Sequence, residues 1–136
     1  MEKANTPYIF DFHKIGNPAI GYISVAENSK LPFPVQRIYW TYFTPHDVIR
    51  GNHAHWQLEQ VLVAVSGQIS VHTIDSVGHE SAFELTKPNV GLYIPSLCWR
   101  TLQFSHSAVL MCLASSEFAE EDYIRDINQF RAIISK

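Results

Sequence analysis

Two imidazoles one residue apart carry the strongest chemical signal in the sequence: Arg50-Gly51-Asn52-His53-Ala54-His55, followed by Trp56-Gln57-Leu58-Glu59-Gln60 and a turn-forming Gly67. Residues two apart on a strand face the same side, so in an extended stretch His53 and His55 enter one space. Imidazole titrates near 6.5 and so takes up and returns a proton close to neutral pH; in its neutral form it also binds metals. The pair therefore points to a functional cavity. The chain has seven histidines. His13, His46, His72, His79 and His106 have no partner at a telling spacing and are expected at the surface or at strand edges.

The elements that must present such a pair are short apolar runs broken by Gly, Pro, Asn and Ser. Val35 to Phe43 is rich in β-branched and aromatic residues, as a strand prefers. Leu58 to Val65 is nearly continuous in apolar residues, Ser66-Gly67 supplies a turn, and Gln68 to Ile74 resumes an alternating pattern. Glu80 to Leu85, Val90 to Ile94 and Ala108 to Ala114 are further runs of strand length, with breaks at Ser76 to His79 and Lys87-Pro88-Asn89. Turns spaced ~8–12 residues apart predict an antiparallel sandwich or barrel rather than βαβ units. Near the C-terminus the period changes: Tyr123, Ile124, Ile127, Phe130, Ile133 and Ile134 recur at three- and four-residue steps, predicting a helix over about 117–135. Glu117, Glu120, Glu121 and Asp122 would sit at its start as a solvated cap that suits the helix dipole.

The 136 residues match one domain, since domains cluster at ~100–150 residues, and a chain of this length buries roughly two-thirds of its unfolded surface without a metal or disulfide staple. One domain over 1–136 is expected, with its core at about 8–116. Ten Lys and Arg against thirteen Asp and Glu give a formal charge of −3, which argues against a nucleic-acid partner or an anionic membrane surface but leaves room for arginines in a local anion pocket. Cys98 and Cys112 lack CxxC spacing and read as buried thiols. Met1 to Pro7 has no signal-peptide apolar stretch, and no run approaches the ~20 apolar residues of a membrane span, so a cytoplasmic location is expected.

The His-x-His segment resembles the first motif of the cupin superfamily, and that resemblance implies a mainly β, single-domain cupin, a small antiparallel jelly-roll barrel with a C-terminal helix. With the motif's spacing counted back from Gly67, the position where metal-binding members hold a carboxylate falls on Gln60. Glu59 is one step early, and a one-residue step turns a strand side chain to the opposite face. In the second motif, Pro95-Ser96-Leu97-Cys98-Trp99-Arg100 puts Arg100 where the last histidine ligand would stand. A guanidinium stays protonated and offers no lone pair. The expected site therefore holds no metal and no cofactor: two histidines, an amide and an arginine suit proton transfer on an anionic or carbonyl-bearing ligand.

Within the cupins the chain is similar to the nucleotide-sugar 3,4-ketoisomerases, which act on dTDP-4-keto-6-deoxyglucose. The resemblance spans about Phe12 to Phe130. It rests on Pro32-Phe33 with Val35-Gln36-Arg37-Ile38-Tyr39, on the His-x-His segment, on Leu58 to Val63, on Val90 to Ile94, on Trp99-Arg100, and on Leu113 to Phe118 leading to Glu121-Asp122-Tyr123-Ile124-Arg125. The turn at Gly16-Asn17-Pro18-Ala19-Ile20-Gly21 departs from the family pattern by one residue, so no contact is carried over there. The resemblance implies that His53 is the base at C3, that His55 relays the proton or orients its partner, and that Tyr39 hydrogen-bonds or donates to a sugar oxygen. Arg37, Arg50 and Arg100 are candidates for the pyrophosphate or the enediolate, with Gln60 and Trp99 also at the substrate. Core packing is the alternative for Tyr39, a carboxylate pair for Arg37, loop ordering for Arg50 and a mere wall for Trp99. The arginine form at position 100 implies a gluco rather than a galacto product. The implied setting is deoxyaminosugar biosynthesis for a lipopolysaccharide or S-layer glycan, and the implied partners are a dTDP-linked 4-keto-6-deoxy sugar and a second copy in a homodimer, since small barrels with an apolar N-terminal segment such as Tyr8 to Phe12 pair edge strands. Three other readings stay open: a dTDP-sugar epimerase, a non-enzymatic small-molecule-binding cupin, and a metal-dependent cupin enzyme.

Overall fold

The near-continuous apolar run after Glu59 dictates the architecture. The computed structural model describes residues 4–136, so the first part of the polar N-terminal segment lies outside the described residues. In β6 (Gln60–Ser66) the stretch from Gln60 to Ala64 is buried at every position, which requires cover on both faces of the strand. Leu62 and Ala64 point into a core shared with Ile69, Val71, Leu85, Leu92, Leu102, Phe104 and Cys112. Val61 and Val63 pack on the opposite face against Phe12, Phe33, Tyr93 and Leu113. The N-terminal segment and the loop around Phe33 thus cover the outer side of the sheet, and each large apolar side chain removed from water there contributes about 1.5–3 kcal/mol.

The first of these cores lies between two five-stranded antiparallel sheets. One sheet runs β1 (Tyr8–Asp11), β9 (Val90–Ile94), β6, β11 (Val109–Ala114), β4 (Arg37–Thr41). The other runs β12 (Tyr123–Ile124), β5 (Ile49–His55), β10 (Trp99–Phe104), β7 (Ile69–Ile74), β8 (Glu80–Leu85). Chain neighbours mostly fall in opposite sheets, as the antiparallel jelly-roll reading requires. A third pair, β2 (His13–Asn17) and β3 (Gly21–Val25), forms a separate hairpin. Its turn is the Gly16 to Gly21 segment; a Cβ on Gly16, at φ +130, would stand 2.1 Å from the Gly21 carbonyl oxygen, so only glycine fits there.

The C-terminal helix is shorter than its spacing predicts. The helix α1 covers Ile127–Ile134, capped by the Asp126 carboxylate, which accepts from the backbone N–H of Asn128 and Gln129. Residues 120–122 form one 3-10 turn, and Tyr123 and Ile124 are a strand paired with β5 rather than helix. The misreading has a physical cause: Ile124 is buried at the helix–sheet contact with Ala54, Ile74, Trp99 and Phe130, and so continues the helix's apolar stripe without belonging to the helix. The acidic cluster does not cap α1 either. Glu120 pairs with Arg125, and the Asp122 carboxylate accepts from the N–H groups of Gln57 and Leu58 at 3.0 and 3.1 Å. Cys98 and Cys112 are buried free thiols, as expected. No helix among the described residues is long and apolar enough to cross a membrane.

Candidate functional site

The site is built around an irregularity in β5. Against β10, His53 pairs with Arg100 but Gly51 pairs with Thr101 and Arg50 with Leu102, so Asn52 is an extra residue in the ladder. Gly51 and Asn52 both have positive φ, 84° and 56°, values that glycine and asparagine tolerate best. A Cβ on Gly51 would lie 2.8 Å from the Arg100 carbonyl oxygen. The bulge resets the alternation of the strand. Arg50 and His53, an odd number of positions apart, therefore line the same cavity. The bulge also turns the Gly51 carbonyl toward the His53 ring, 3.0 Å from Nδ1. A carbonyl only accepts, so Nδ1 carries the proton and Nε2 keeps its lone pair.

His53 and His55 meet edge to face, with ring centroids 4.8 Å apart, as their two-residue spacing predicts. His55 is fully buried, and neither of its ring nitrogens has a hydrogen-bond partner among the described residues. Burial, and secondly the Arg100 charge, lower the His53 pKa to about 4, although the Gly51 bond opposes the shift. The same two causes, followed by His53 itself, Arg37 and Arg125, lower His55 to about 2. Both imidazoles are thus neutral near pH 7, the form in which a histidine acts as a base.

Opposite the bulge, β6 and β10 deliver the other groups. Gln60 faces the cavity. Its Nε2 donates to the Tyr39 hydroxyl at 2.9 Å and its Oε1 accepts from Arg100 Nη1. Arg100, 2% exposed, directs Nε and Nη2 to the Cys98 carbonyl. Burial pushes the Tyr39 phenol further above its ordinary value, so its hydroxyl stays protonated. Glu59, one position away, lies on the other face of the strand and accepts from the Tyr93 hydroxyl at 2.6 Å. The amide is what the sequence places in the cavity, and a buried guanidinium needs such an acceptor.

The remaining predicted residues are not all brought together. Arg50 stands exposed at the cavity rim. Arg37 stacks over the rings of Tyr39 and Phe118 at 5.1 and 5.9 Å, and its buried Nε has no partner among the described residues, so the carboxylate pairing considered for it is not found. Trp99 turns away from the cavity and packs at 5.8 Å against Phe130 of α1. It backs the site from outside, because its neighbour Arg100 takes the inward face of β10. Tyr123, whose sequence context reads as helix, instead faces both imidazoles, with centroids 4.4 Å from His55 and 5.1 Å from His53. The only signal that could have found it is its pairing register with His55, which no local pattern encodes.

The cavity between Tyr39, Arg50, His53, Gln60 and Arg100 holds about 80 Å³. That is below the ~300–1,000 Å³ of ordinary ligand pockets, so only the edge of a larger molecule would fit inside it. Among the described residues no cluster of three or more metal-ligating side chains is present. The arrangement offers a base, a fixed tautomer, a protonated hydroxyl and a buried cation, the elements of proton transfer beside a carbonyl.

Residues 5–135 match the family described as FdtA: WxcM-like, C-terminal. The chain is 36% identical over 129 residues to a TDP-4-oxo-6-deoxy-alpha-D-glucose-3,4-oxoisomerase of Aneurinibacillus thermoaerophilus, covering 94% of this chain and 92% of that protein. Its fold is similar to that of a 3,4-ketoisomerase from Helicobacter canadensis, with a TM-score of 0.89, 35% identity, and 96% and 98% of the two chains covered. It is also similar to a mutant of the 3,4-ketoisomerase from Thermoanaerobacterium thermosaccharolyticum in complex with TDP-4-keto-6-deoxyglucose, with a TM-score of 0.85, 32% identity, and 91% and 90% covered.

Proposed function

The chain belongs to the FdtA (WxcM-like, C-terminal) family, and from that premise we propose that it is a sugar-nucleotide 3,4-ketoisomerase converting dTDP-4-keto-6-deoxy-D-glucose to a dTDP-3-keto-6-deoxyhexose by histidine-mediated proton transfer through an enediol. The observation that carries the mechanism is the neutral His53 with its tautomer set by the Gly51 carbonyl, beside the Arg100–Gln60–Tyr39 chain. His53 Nε2 removes the C3 proton, the electron pair forms the enediolate, and the oxygen at C4 becomes negative. Arg100 and the Tyr39 hydroxyl stabilise that charge in a site shielded from water, where a fixed donor is worth about 10²–10³ in rate. Proton return to C4, from His53 or relayed by His55, with transfer of the O3 proton to O4, leaves the carbonyl at C3. Arg50 at the rim and the stacked Arg37, whose buried Nε has no partner among the described residues, are the groups for the pyrophosphate.

The test is NMR of dTDP-4-keto-6-deoxyglucose incubated with the protein in deuterated buffer. Migration of the carbonyl to C3 supports the reading, and the C4 configuration is expected to be gluco. Deuterium exchange with the carbonyl left at C4 would assign an epimerase instead, and tight binding without exchange a ligand-binding cupin. Stoichiometric Fe, Mn, Ni or Zn in the purified protein would contradict the roles given to Gln60 and Arg100. We place the reaction in the cytoplasm, in deoxyaminosugar biosynthesis for a cell-surface glycan, with an aminotransferase consuming the 3-keto product. The protein acts as a homodimer in this reading, supported by the exposed apolar side chains of the β4 edge, Ile38 and Trp40, of Phe43 just beyond it, and of the β2–β3 hairpin, Ile20, Tyr22 and Ile23. A monomer at micromolar concentration in light scattering would remove that part.

A further inference from the structure

Tyr123 belongs to none of the roles above, yet its ring is the most heavily engaged aromatic near the histidines. It stands 4.4 Å from the His55 ring and 5.1 Å from the His53 ring, and those two are 4.8 Å from each other, so the three centroids form a nearly equilateral triangle. Behind it lie Phe118 at 5.6 Å and the Arg125 guanidinium at 4.0 Å, stacked over the ring. Its backbone is fixed as firmly. Tyr123 pairs with His55 and Ile124 with Ala54, the Trp56 N–H donates to the Asp122 carbonyl at 2.9 Å, and the Asp122 carboxylate holds the next two N–H groups of that loop. Partners across a ladder share a face, so the pairing that sends Ile124 outward into the α1 contact sends Tyr123 inward onto the imidazoles.

Among the described residues His55 finds no hydrogen-bond partner for either ring nitrogen, and so no hydrogen bond that fixes its rotamer. What holds it is ring contact, and Tyr123 supplies that contact from the side of the C-terminal segment. We infer that Tyr123 is a positioning residue whose aromatic ring locks the two imidazoles in their working orientation and keeps water from them. The inference rests on the ketoisomerase reading for its rate effect but not for its geometric content. The charged and titratable groups facing the pair are Arg100 from β10, Tyr39 and Arg37 from β4, and Arg125 from beyond β12; Arg125 loses its ring contact on substitution of Tyr123 but keeps its pairing with Glu120.

The test compares Tyr123→Phe with Tyr123→Leu, and uses Ile124→Ala, on the outward face of the same strand, as the control for general loosening. The ring nitrogens of His53 and His55 are titrated by ¹⁵N NMR in each protein, which needs no turnover, and kcat and KM are measured beside them. Tyr123→Phe is expected to keep the titrations and kcat within about twofold of the unmodified protein. Tyr123→Leu is expected to move the His53 midpoint up toward 6.5 by about one pH unit as water enters, and to lower kcat by at least about tenfold with KM changed less than threefold. Ile124→Ala should lower the melting temperature and leave the titrations unmoved. Unshifted imidazoles in Tyr123→Leu, a Tyr123→Phe as impaired as Tyr123→Leu, or a Tyr123→Leu that does not fold would each overturn the assignment. If the unmodified protein fails to move the carbonyl while the titrations behave as stated, the ketoisomerase reading falls and the positioning role stands.

Discussion

Arg100→Met tests the electrostatics of the site most directly. The substitution keeps an unbranched apolar stem in place of the guanidinium and removes a fully buried charge. Arg100 and His53 are direct partners across the β5–β10 ladder and share a face, so the working separation of their charges is taken at the outer end of the ~4–6 Å over which a neighbouring charge shifts a pKa, about 6 Å. At an effective dielectric of 20 that separation gives about 2.8 kcal/mol, or about two pH units, as an upper bound. Burial is the larger cause of the fall of His53 from 6.5 to about 4 and persists in the variant, so about one unit is expected to be recovered. The sign follows from the working form of the proposed base. As that base His53 would act when neutral, activity would be lost as pH falls through its folded pKa, and raising that pKa would move the loss to higher pH. The acidic limb of kcat/KM should therefore shift from near 4 to near 5. At the plateau, kcat should also drop by about 10²–10³, because the enediolate loses its cation. The assay is the full pH–rate profile of both proteins, followed by NMR on the dTDP-linked keto sugar. A fall in kcat with the acidic limb unmoved would refute the claim that the Arg100 charge adds to burial in lowering the His53 pKa.

His53→Asn should abolish isomerisation, a loss of at least about 10²–10⁴ for a general base, while equilibrium binding of dTDP stays within a few-fold; full activity would take the base role away from His53. Gly51→Ala forces a side chain into a left-handed conformation at a cost of about 1–2 kcal/mol and against the Arg100 carbonyl, so both the urea midpoint and kcat should fall, and an unchanged kcat would mean that the bulge does not aim His53. His53 and His55 have folded pKa values depressed to about 4 and about 2, so their contribution to stability is complete above their unfolded value near 6.5 and is lost as pH falls. Urea unfolding at pH 7, 5.5 and 4 should show that decline, with His55→Gln flattening it; parallel curves for the two proteins would count against the burial of a neutral His55.

The sheet strands were legible because burial writes itself into sequence, as a continuous apolar run where both faces are covered and as an alternation where one is. Glu80–Leu85 and Val90–Ile94 carry the bounds their composition predicts, and Leu58 to Val65 is displaced from β6 by only a residue or two. The C-terminal segment was misread because Ile124 and Phe130 bury against the same Trp99. One apolar patch was fed by a strand and a helix in succession, and a three- or four-residue period cannot tell them apart. Asp126 marks the true start, as a capping carboxylate two residues before the first N–H it accepts from. The neighbouring acidic residues mask it, since Asp122, a tertiary clasp, has the same local signature as a cap.

The site divides along the same line between local and non-local information. The phase of Gln60 against Glu59 was readable, because one step along a strand always reverses a side chain, and the two residues do lie on opposite faces. That Arg50 shares the cavity with His53 was not derivable from phase, since three positions on a regular strand would oppose them; the bulge at Asn52 exists only through the pairing with β10. Net charge was equally uninformative about the cavity. The chain as a whole carries −3, yet the cavity lining holds Arg50 and Arg100 and no carboxylate. A carboxylate at position 60 would have paired with Arg100 and cancelled its field at both imidazoles. With an amide there, the same buried cation adds to burial in lowering the His53 pKa and, in the mechanism we propose, meets the negative oxygen that forms during the reaction. In the proposed mechanism, an amide where a metal-binding site would need a carboxylate is therefore what suits the His-x-His pair to acid–base work rather than to half of a metal cage.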